Sequence, residues 1–348
     1  MTRYYSLDGL RGIAAVCVAL MHFPILNHVT NLEFLKNSYL FVDLFFVISG
    51  FVIAGNIITQ INFKDFILRR LKRLLPIYYI TLFMSFCLEC LLLLVPRLSQ
   101  REAFTEVTSW SALSSELFLL HAFPFVQNSS FNPPSWSIST EVFLYIIIGL
   151  GFFYVRSSFI ILTSALLAFF YGNFMIYSEY WNNAHELALY RGLAGFSAGY
   201  LVYQITHLET GFKIIPYAYF VDFWFVILVA FIYVDGTQNI FDKSLVFPSL
   251  MFGVFLLLLT TSSSRSFSHM ILTHKITVWL GAISYPLYLL HYFIGHRIED
   301  LCNFFSTEEC FKNGNLLLVV YLCLCLITAY FLMIIANTIS NGRRSYAT

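Results

Sequence analysis

Apolar residues come in long runs along almost the whole of the 348-residue chain, and short polar stretches separate one run from the next. A helix needs about 17 to 25 predominantly apolar residues to cross the hydrocarbon core of a bilayer. We therefore expect an all-α fold, a polytopic transmembrane helical bundle of about ten spans. The predicted spans lie at positions 10–26, 39–58, 75–95, 137–155, 158–177, 187–206, 215–234, 245–261, 277–296 and 315–338.

One further apolar stretch, at positions 113–126, is too short to cross. It contains Glu116 and His121, and Pro124 lies near its end. Irregular backbone at membrane depth is tolerated where protein or a cavity covers it. We predict a re-entrant or interfacial segment, since a full crossing would place the C-terminal pair Arg343-Arg344 outside.

Lysine and arginine accumulate in the cytoplasmic loops of membrane proteins. With the N-terminus inside, those loops hold the basic stretch 64–73 and the terminal arginine pair. Both termini are therefore predicted to be cytoplasmic, and the first apolar run is expected to be a retained span and not a removed signal peptide. We expect a transmembrane domain over 1–341 and a short cytoplasmic tail over 342–348, with no soluble domain appended.

Composition supports a membrane protein, because charged residues make up 11% of the chain, against about 25% in a soluble domain. The net charge of +1 argues against a nucleic-acid partner and leaves membrane lipids as the surroundings. The nine histidines are scattered without ligand spacing, so no metal is expected. Cys302 and Cys310 share a polar loop predicted to face outside, where a disulfide can form.

The first span carries Asp8, Arg11 and His22, although charged groups in the hydrocarbon core are costly. An eleven-residue step lies roughly 20° from three whole helical turns, so Arg11 and His22 share one face about 16 Å apart. This suggests a functional polar face. The alternative is an interfacial Asp8–Arg11 ion pair with His22 reaching toward the outer surface.

Arg70 and Arg73 lie three residues apart at the cytoplasmic start of the third span, on one helical face. The planar fork of a guanidinium suits a phosphate group. The alternative is an ordinary positive anchor that faces lipid head groups.

Glu141 lies inside a predicted span, one turn beyond Ser137 and shortly after Trp136. An intramembrane carboxylate is by default a candidate functional residue, although it can also bond to a neighbouring helix. Its predicted depth is near the outer side, the same as that of His22.

Tyr285, Tyr288 and His291 recur every three residues and form a polar stripe along another span. A belt of interfacial aromatic residues explains the tyrosines but explains His291 less well. His291 is also predicted to lie toward the outer side, whereas the three arginines lie at the cytoplasmic end. This arrangement suits an anionic donor bound from inside and chemistry deeper in the membrane.

These segments together resemble the acyltransferase-3 family of integral-membrane acyltransferases, in the same order and over nearly the whole chain. The matching pieces are 7–15 with His22, 45–51, Arg70-Leu71-Lys72-Arg73, Trp136-Ser137 with Glu141 and Tyr145, and 283–291. One departure is Pro286, where many members have a small residue.

The resemblance implies O-acylation, usually O-acetylation, of a carbohydrate such as a bacterial surface polysaccharide, lipopolysaccharide included, or its lipid-linked precursor. It implies acetyl-CoA as the cytoplasmic acyl donor and the bacterial cytoplasmic (inner) membrane as the location. A membrane exporter of a lipid-linked sugar is the rival interpretation, but such a protein does not require the paired arginine motif.

Our hypothesis is that Arg11, Arg70 and Arg73 hold the donor phosphates while His22 acts as general base on a sugar hydroxyl. Glu141 is expected to orient His22 or the acceptor, and Asp8 to neutralise Arg11. Direct transfer is preferred to a serine-bound intermediate. The residues expected to bind substrate or support the structure are Trp136, Ser137, Tyr285, Tyr288 and His291.

Overall fold

The structure is a computed structural model, and it describes residues 3–25, 27–99, 101–105, 107–123, 126, 130–155, 188–207, 218–238, 247–261, 266–305 and 313–342. Every regular element in these ranges is a helix. The α-helices are α1 (Tyr5–Met21), α2 (Glu33–Lys36), α3 (Phe41–Ile57), α4 (Phe63–Leu94), α5 (Trp110–Leu117), α6 (Trp136–Leu150), α7 (Ala188–Thr206), α8 (Ala218–Gln238), α9 (Phe247–Thr261), α10 (Phe267–Leu272), α11 (Lys275–Phe304) and α12 (Gly314–Gly342).

Several of these helices are long and apolar enough to cross a membrane. By length and composition, five stretches qualify: Glu33–Ile57, Phe63–Leu94, Pro133–Tyr154, Lys275–Phe304 and Gly314–Thr338. The prediction of an all-α membrane bundle is confirmed at this level. The count of ten spans and the cytoplasmic termini stay predictions, since the run 158–177 and residues 343–348 lie outside the described residues.

The helix α4 begins well before the predicted third span and runs for 32 residues. Asn62 caps its start, because its side chain accepts a hydrogen bond from the backbone N–H of Asp65 at 2.9 Å. Arg70 and Arg73 therefore lie inside the helix. The hydropathy pattern predicts a later start for this span, because it excludes the lysines and arginines of the first turns. These residues are nevertheless good helix formers, so the helix begins before the apolar run.

The helix α1 also differs from its predicted span of 10–26, since it covers Tyr5–Met21 and His22 is its C-cap. Two residues further on, Pro24 disfavours a helical conformation for Phe23. The stretch 113–126 overlaps α5, a helix of eight residues capped by Ser109. The structure thus contains a short helix where a re-entrant or interfacial segment is predicted.

Close contact between α1 and α11 depends on glycine. A Cβ atom on Gly9 would collide with the carbonyl of Leu272 at the end of α10, and one on Gly281 of α11 would collide with the carbonyl of Asp8. A Cβ atom on Gly12 would lie 2.5 Å from the backbone nitrogen of Gly281. Small residues let two membrane helices approach this closely. The glycines of the segment 7–12 therefore have a packing role: Gly9 lets α1 approach α10, and Gly12 lets it approach α11.

Candidate active site

A cavity of about 450 Å³ lies among α1, α3, α4, α6, α11 and α12. It contains most of the polar residues that the sequence singles out. The predicted site residues that line it are Asp8, Arg11, Arg70, Arg73, Ser137, Glu141, Tyr285 and Tyr288. The residues that it does not include are Trp136, His22 and His291.

Five arginines line this cavity, Arg3 and Arg69 among them, and the three predicted ones come from two helices. Arg11 comes from α1, and Arg70 and Arg73 come from the first turns of α4. Arg11 and Arg70 are partly buried. The guanidinium of Arg70 lies 5.8 Å from the ring centres of both Phe66 and Tyr145, so cation–π contacts hold it in place.

None of these three guanidinium groups forms an ion pair with a carboxylate in the described part of the chain. Asp8 is instead paired with Arg3, with 2.8 Å between Nε and Oδ2. The expected neutralisation of Arg11 by Asp8 is therefore not a direct contact. Cations grouped around one cavity create a positive potential there, which favours a negatively charged ligand.

Glu141 lies in the wall of the same cavity. Its Oε1 accepts a hydrogen bond from Ser49 Oγ at 2.8 Å and another from the hydroxyl of Tyr145. Its carboxylate is near enough to Arg11 and Arg70 to interact electrostatically with both. The structure thus groups Glu141 with the arginines, whereas the sequence had grouped it with His22.

Tyr285, Tyr288 and Ser137 also line the cavity. Ser137 Oγ donates to the hydroxyl of Tyr288 at 3.0 Å, and that hydroxyl donates to the carbonyl of Pro134, also at 3.0 Å. Tyr285 donates to the carbonyl of Leu74 at 2.8 Å. These bonds join α11 to α4 and to the start of α6. Both tyrosines therefore combine a lining position with a structural bond.

His22 and His291 lie next to each other, and neither of them lines the cavity. The Nδ1 atom of His22 is 3.2 Å from Nε2 of His291 and 3.0 Å from the carbonyl oxygen of Val18. The ring of Tyr288 lies 5.8 Å from the ring of His291. His291 is fully buried, whereas His22 is partly exposed. The predicted polar stripe on α11 thus brings one histidine against the other.

A buried ion pair joins α3 to α7, and our sequence interpretation did not include it. Arg191 Nη2 lies 2.7 Å from Asp43 Oδ2, and Nε lies 3.2 Å from Oδ1. The guanidinium also stacks on Trp136, 5.3 Å from the ring centre. Asp43 and Arg191 are each a single charged residue within an apolar run of the sequence. Because such charges are costly in a membrane, their presence could have indicated an ion pair.

Glu116 is a second residue whose environment the sequence did not reveal. It is completely buried, and its Oε1 accepts hydrogen bonds from Ser130 Oγ and, at 2.7 Å, from the backbone N–H of Phe131. Burial raises the pKa of Glu116 to about 7, although these hydrogen bonds act in the opposite direction. The carboxyl group fastens α5 to the segment that precedes α6.

The candidate disulfide is described at one end only. Cys302 is buried near the end of α11 and is disulfide-bonded, whereas Cys310 lies outside the described residues. The pairing of these two cysteines therefore stays a prediction. Within the ranges that the structure covers, no three histidine, cysteine or acidic side chains are grouped so that they could hold a metal ion.

Comparisons with known proteins agree with this arrangement. The chain is 25% identical over 323 residues to the "Putative peptidoglycan O-acetyltransferase YrhL" of Bacillus subtilis, covering 82% of this chain and 48% of the relative. It is 26% identical over 317 residues to a "Putative O-acetyltransferase" of Staphylococcus aureus (strain COL), covering 82% and 50%. The peptidoglycan O-acetyltransferase OatA of Listeria monocytogenes is 28% identical over 153 residues, covering 41% and 23%.

The chain thus spans about half the length of the first two relatives and about a quarter of the third. No solved structure matches it with significance. A family model described as "Acyltransferase domain" matches residues 4–336, which is nearly the whole chain. Together with the order of its motifs and the cavity that they line, this match shows that the chain belongs to the acyltransferase-3 family.

Proposed function

We propose that this protein is a membrane-bound O-acetyltransferase that transfers an acetyl group from acetyl-CoA to a hydroxyl of a cell-surface carbohydrate. The observation that carries the proposal is the cluster of Arg11, Arg70 and Arg73 in one cavity, where none of them forms a direct ion pair with a carboxylate of the described residues. The names of the bacterial relatives support O-acetyl transfer, and two of them name peptidoglycan. The carbohydrate is a surface polysaccharide or its lipid-linked precursor, and the membrane is the bacterial cytoplasmic membrane.

The donor binds through its phosphates. A guanidinium forms two parallel hydrogen bonds to a phosphate, and bonds between charged groups are roughly twice as strong as neutral ones. Arg70 is already held by the rings of Phe66 and Tyr145, so little side-chain freedom is lost when the anion binds. Glu141 accepts hydrogen bonds and repels phosphate. It therefore suits the amide N–H groups of the pantetheine arm.

The acyl group then moves inward toward His22. Tyr288 lines the cavity and its ring also lies against His291, so the proposed path of the arm toward His22 requires rotation of this ring. His22 takes the proton of the acceptor hydroxyl, and the hydroxyl oxygen forms a bond to the thioester carbonyl carbon. The carbon–sulfur bond breaks, and the thiolate receives the proton from His22. Acetyl ester and free thiol are the products.

The test is acetyl transfer by the purified protein in lipid nanodiscs. Acetyl-CoA is supplied with peptidoglycan fragments in one reaction and with surface-polysaccharide oligosaccharides in another. Free thiol and an acetyl-sized mass gain on the glycan are measured. We expect both for at least one acceptor. No thiol release with any acceptor would overturn the proposal and favour the exporter interpretation.

Variants of the arginines test the donor site. Arg70→Gln and Arg73→Gln each remove a charge-assisted hydrogen bond of about 1.5–3 kcal/mol, so we expect the KM for acetyl-CoA to rise roughly 10- to 100-fold. Lys64→Gln is the matched control, because Lys64 is an exposed cation of the same helix that does not line the cavity. An unchanged KM in both arginine variants would place the donor elsewhere.

A further inference from the structure

We propose that His291 is a positioning residue that holds His22 in the tautomer needed for base catalysis. The inference rests on the proposed function, in which His22 is the base. It arises from one contact, the 3.2 Å approach of His291 Nε2 to His22 Nδ1. The two rings come from different helices, α11 and the end of α1.

The proton of neutral His22 is located by the carbonyl of Val18. A carbonyl oxygen only accepts hydrogen bonds, and it lies 3.0 Å from His22 Nδ1. Nδ1 therefore carries the hydrogen and donates it. A neutral imidazole has one N–H group, so Nε2 of His22 keeps a free lone pair. That lone pair is the group that can remove a proton from a hydroxyl.

The same argument fixes the role of His291. Because Nδ1 of His22 is a donor, the facing Nε2 of His291 must accept, and the proton of His291 lies on its own Nδ1. The hydrogen on His22 Nδ1 is thus shared between the Val18 carbonyl and His291. When the reaction adds a proton to Nε2 of His22, the lone pair of His291 stabilises the resulting imidazolium.

Packing holds the ring of His291, whose own Nδ1 is buried without a hydrogen-bond partner among the described residues. It is 0% exposed, and the ring of Tyr288 packs 5.8 Å from it on one side. In the part of the chain that the structure covers, no carboxylate is bonded to His22. The acidic residue on that side, Glu299, is bonded to His296 at 2.9 Å. A neutral orienting group also avoids the cost of burying a carboxylate in the membrane.

The experiment compares variants of His291 for acetyl transfer in nanodiscs, with saturating acetyl-CoA and acceptor. We expect His291→Ala to lower kcat about 10- to 100-fold, which is less than the roughly 10²- to 10⁴-fold loss on removing the base itself. The KM for acetyl-CoA should stay within about twofold, because His291 does not line the donor cavity.

Conservative variants separate positioning from a merely structural role. The amide oxygen of glutamine can occupy the place of Nε2, whereas that of asparagine is too short to reach it. We therefore expect His291→Gln to recover about tenfold in kcat over His291→Asn. This comparison also remains valid if His291→Ala fails to fold. In the background of His22→Ala, further replacement of His291 should cause no additional loss, because the two residues act as a unit.

The matched control is His207→Ala. His207 lies just beyond the end of α7, where its Nδ1 is 3.0 Å from the carbonyl of Tyr203, four residues earlier, as in His22. The kcat of acetyl transfer by His207→Ala should equal that of the wild type. If His22→Ala is inactive while His291→Ala keeps full kcat, or if glutamine and asparagine behave alike, the positioning role is wrong and the proposed function stands. If His22→Ala keeps full kcat, the proposed base itself is wrong.

Discussion

Replacing Arg191 with methionine is expected to lower the free energy of unfolding by about 3–5 kcal/mol. This is the range for removing one partner of a buried ion pair, because the remaining charge is left without compensation. Asp43 has a side chain only 2% exposed, and Arg191 is its ion-pair partner. Water therefore cannot replace the lost guanidinium. At about 1.4 kcal/mol per tenfold, the ratio of folded to unfolded protein should fall by at least roughly 100-fold.

The geometry supports the upper part of this range. Arg191 binds both carboxylate oxygens, at 2.7 Å and 3.2 Å, so both lose their partner in the variant. The guanidinium also covers the ring of Trp136, at the start of α6, and a desolvated cation–π contact adds about 2 kcal/mol. Replacing both charged residues, as in Asp43→Val with Arg191→Met, leaves no unpaired charge. We therefore expect the double variant to be more stable than the single one.

Unfolding by sodium dodecyl sulfate in mixed micelles, followed by circular dichroism, measures these differences. Lys36→Ala is the control, since it breaks an exposed pair with Glu33 that is worth under about 1 kcal/mol. The reasoning is refuted if Arg191→Met unfolds within about 1 kcal/mol of the wild type. It is also refuted if the double variant is less stable than the single one.

Two further predictions concern packing and pH. Gly12→Ala should lower stability by about 1–3 kcal/mol, because its methyl group would lie 2.5 Å from the backbone nitrogen of Gly281. Gly253→Ala should be tolerated, since its nearest neighbour would be at an ordinary 3.5 Å, and melting temperatures in detergent compare the two. Burial raises the folded-state pKa of Glu116 from 4.5 to about 7, so the folded protein holds this proton where the unfolded chain has lost it. The stability contributed by Glu116 should therefore fall as the pH rises from about 4.5 to about 7, and Glu116→Gln should remove this part of the pH dependence in melts at pH 5 and pH 8. Equal pH slopes in wild type and Glu116→Gln would contradict this assignment.

The sequence predicted the contents of the site better than its layout. Helical geometry places Arg11 and His22 on one face of α1, and the regular spacing on α11 places His291 one turn beyond Tyr288. These relations are local, so a single sequence contains them. Which helices are neighbours is not local. The approach of His22 to His291 depends on the glycine contact between α1 and α11, which no hydrophobic pattern specifies.

Glu141 shows a second limit of predicting the site from the sequence. The start of an apolar run predicts the depth of Glu141 in the membrane only if such edges mark the membrane surface. The structure has a cavity that extends between the helices, and both Glu141 and the arginines face it. Hydropathy does not reveal a cavity, because it averages over all sides of a helix. Asp43 and Arg191 were missed for a similar reason, since each is one charge among many apolar neighbours.

The glycine contact between α1 and α11 has a mechanical consequence. Gly12 and Gly281 pack α1 closely against the helix that carries Tyr285, Tyr288 and His291, so we expect these two helices to move as one body. Arg11 and His22 both belong to α1, so the rise of the helix keeps them about 16 Å apart along its axis. A carrier shorter than this length cannot touch both ends at once. Any widening that admits a substrate must therefore come from the other helices that line the cavity, α3, α4, α6 and α12, or from the rotation of side chains.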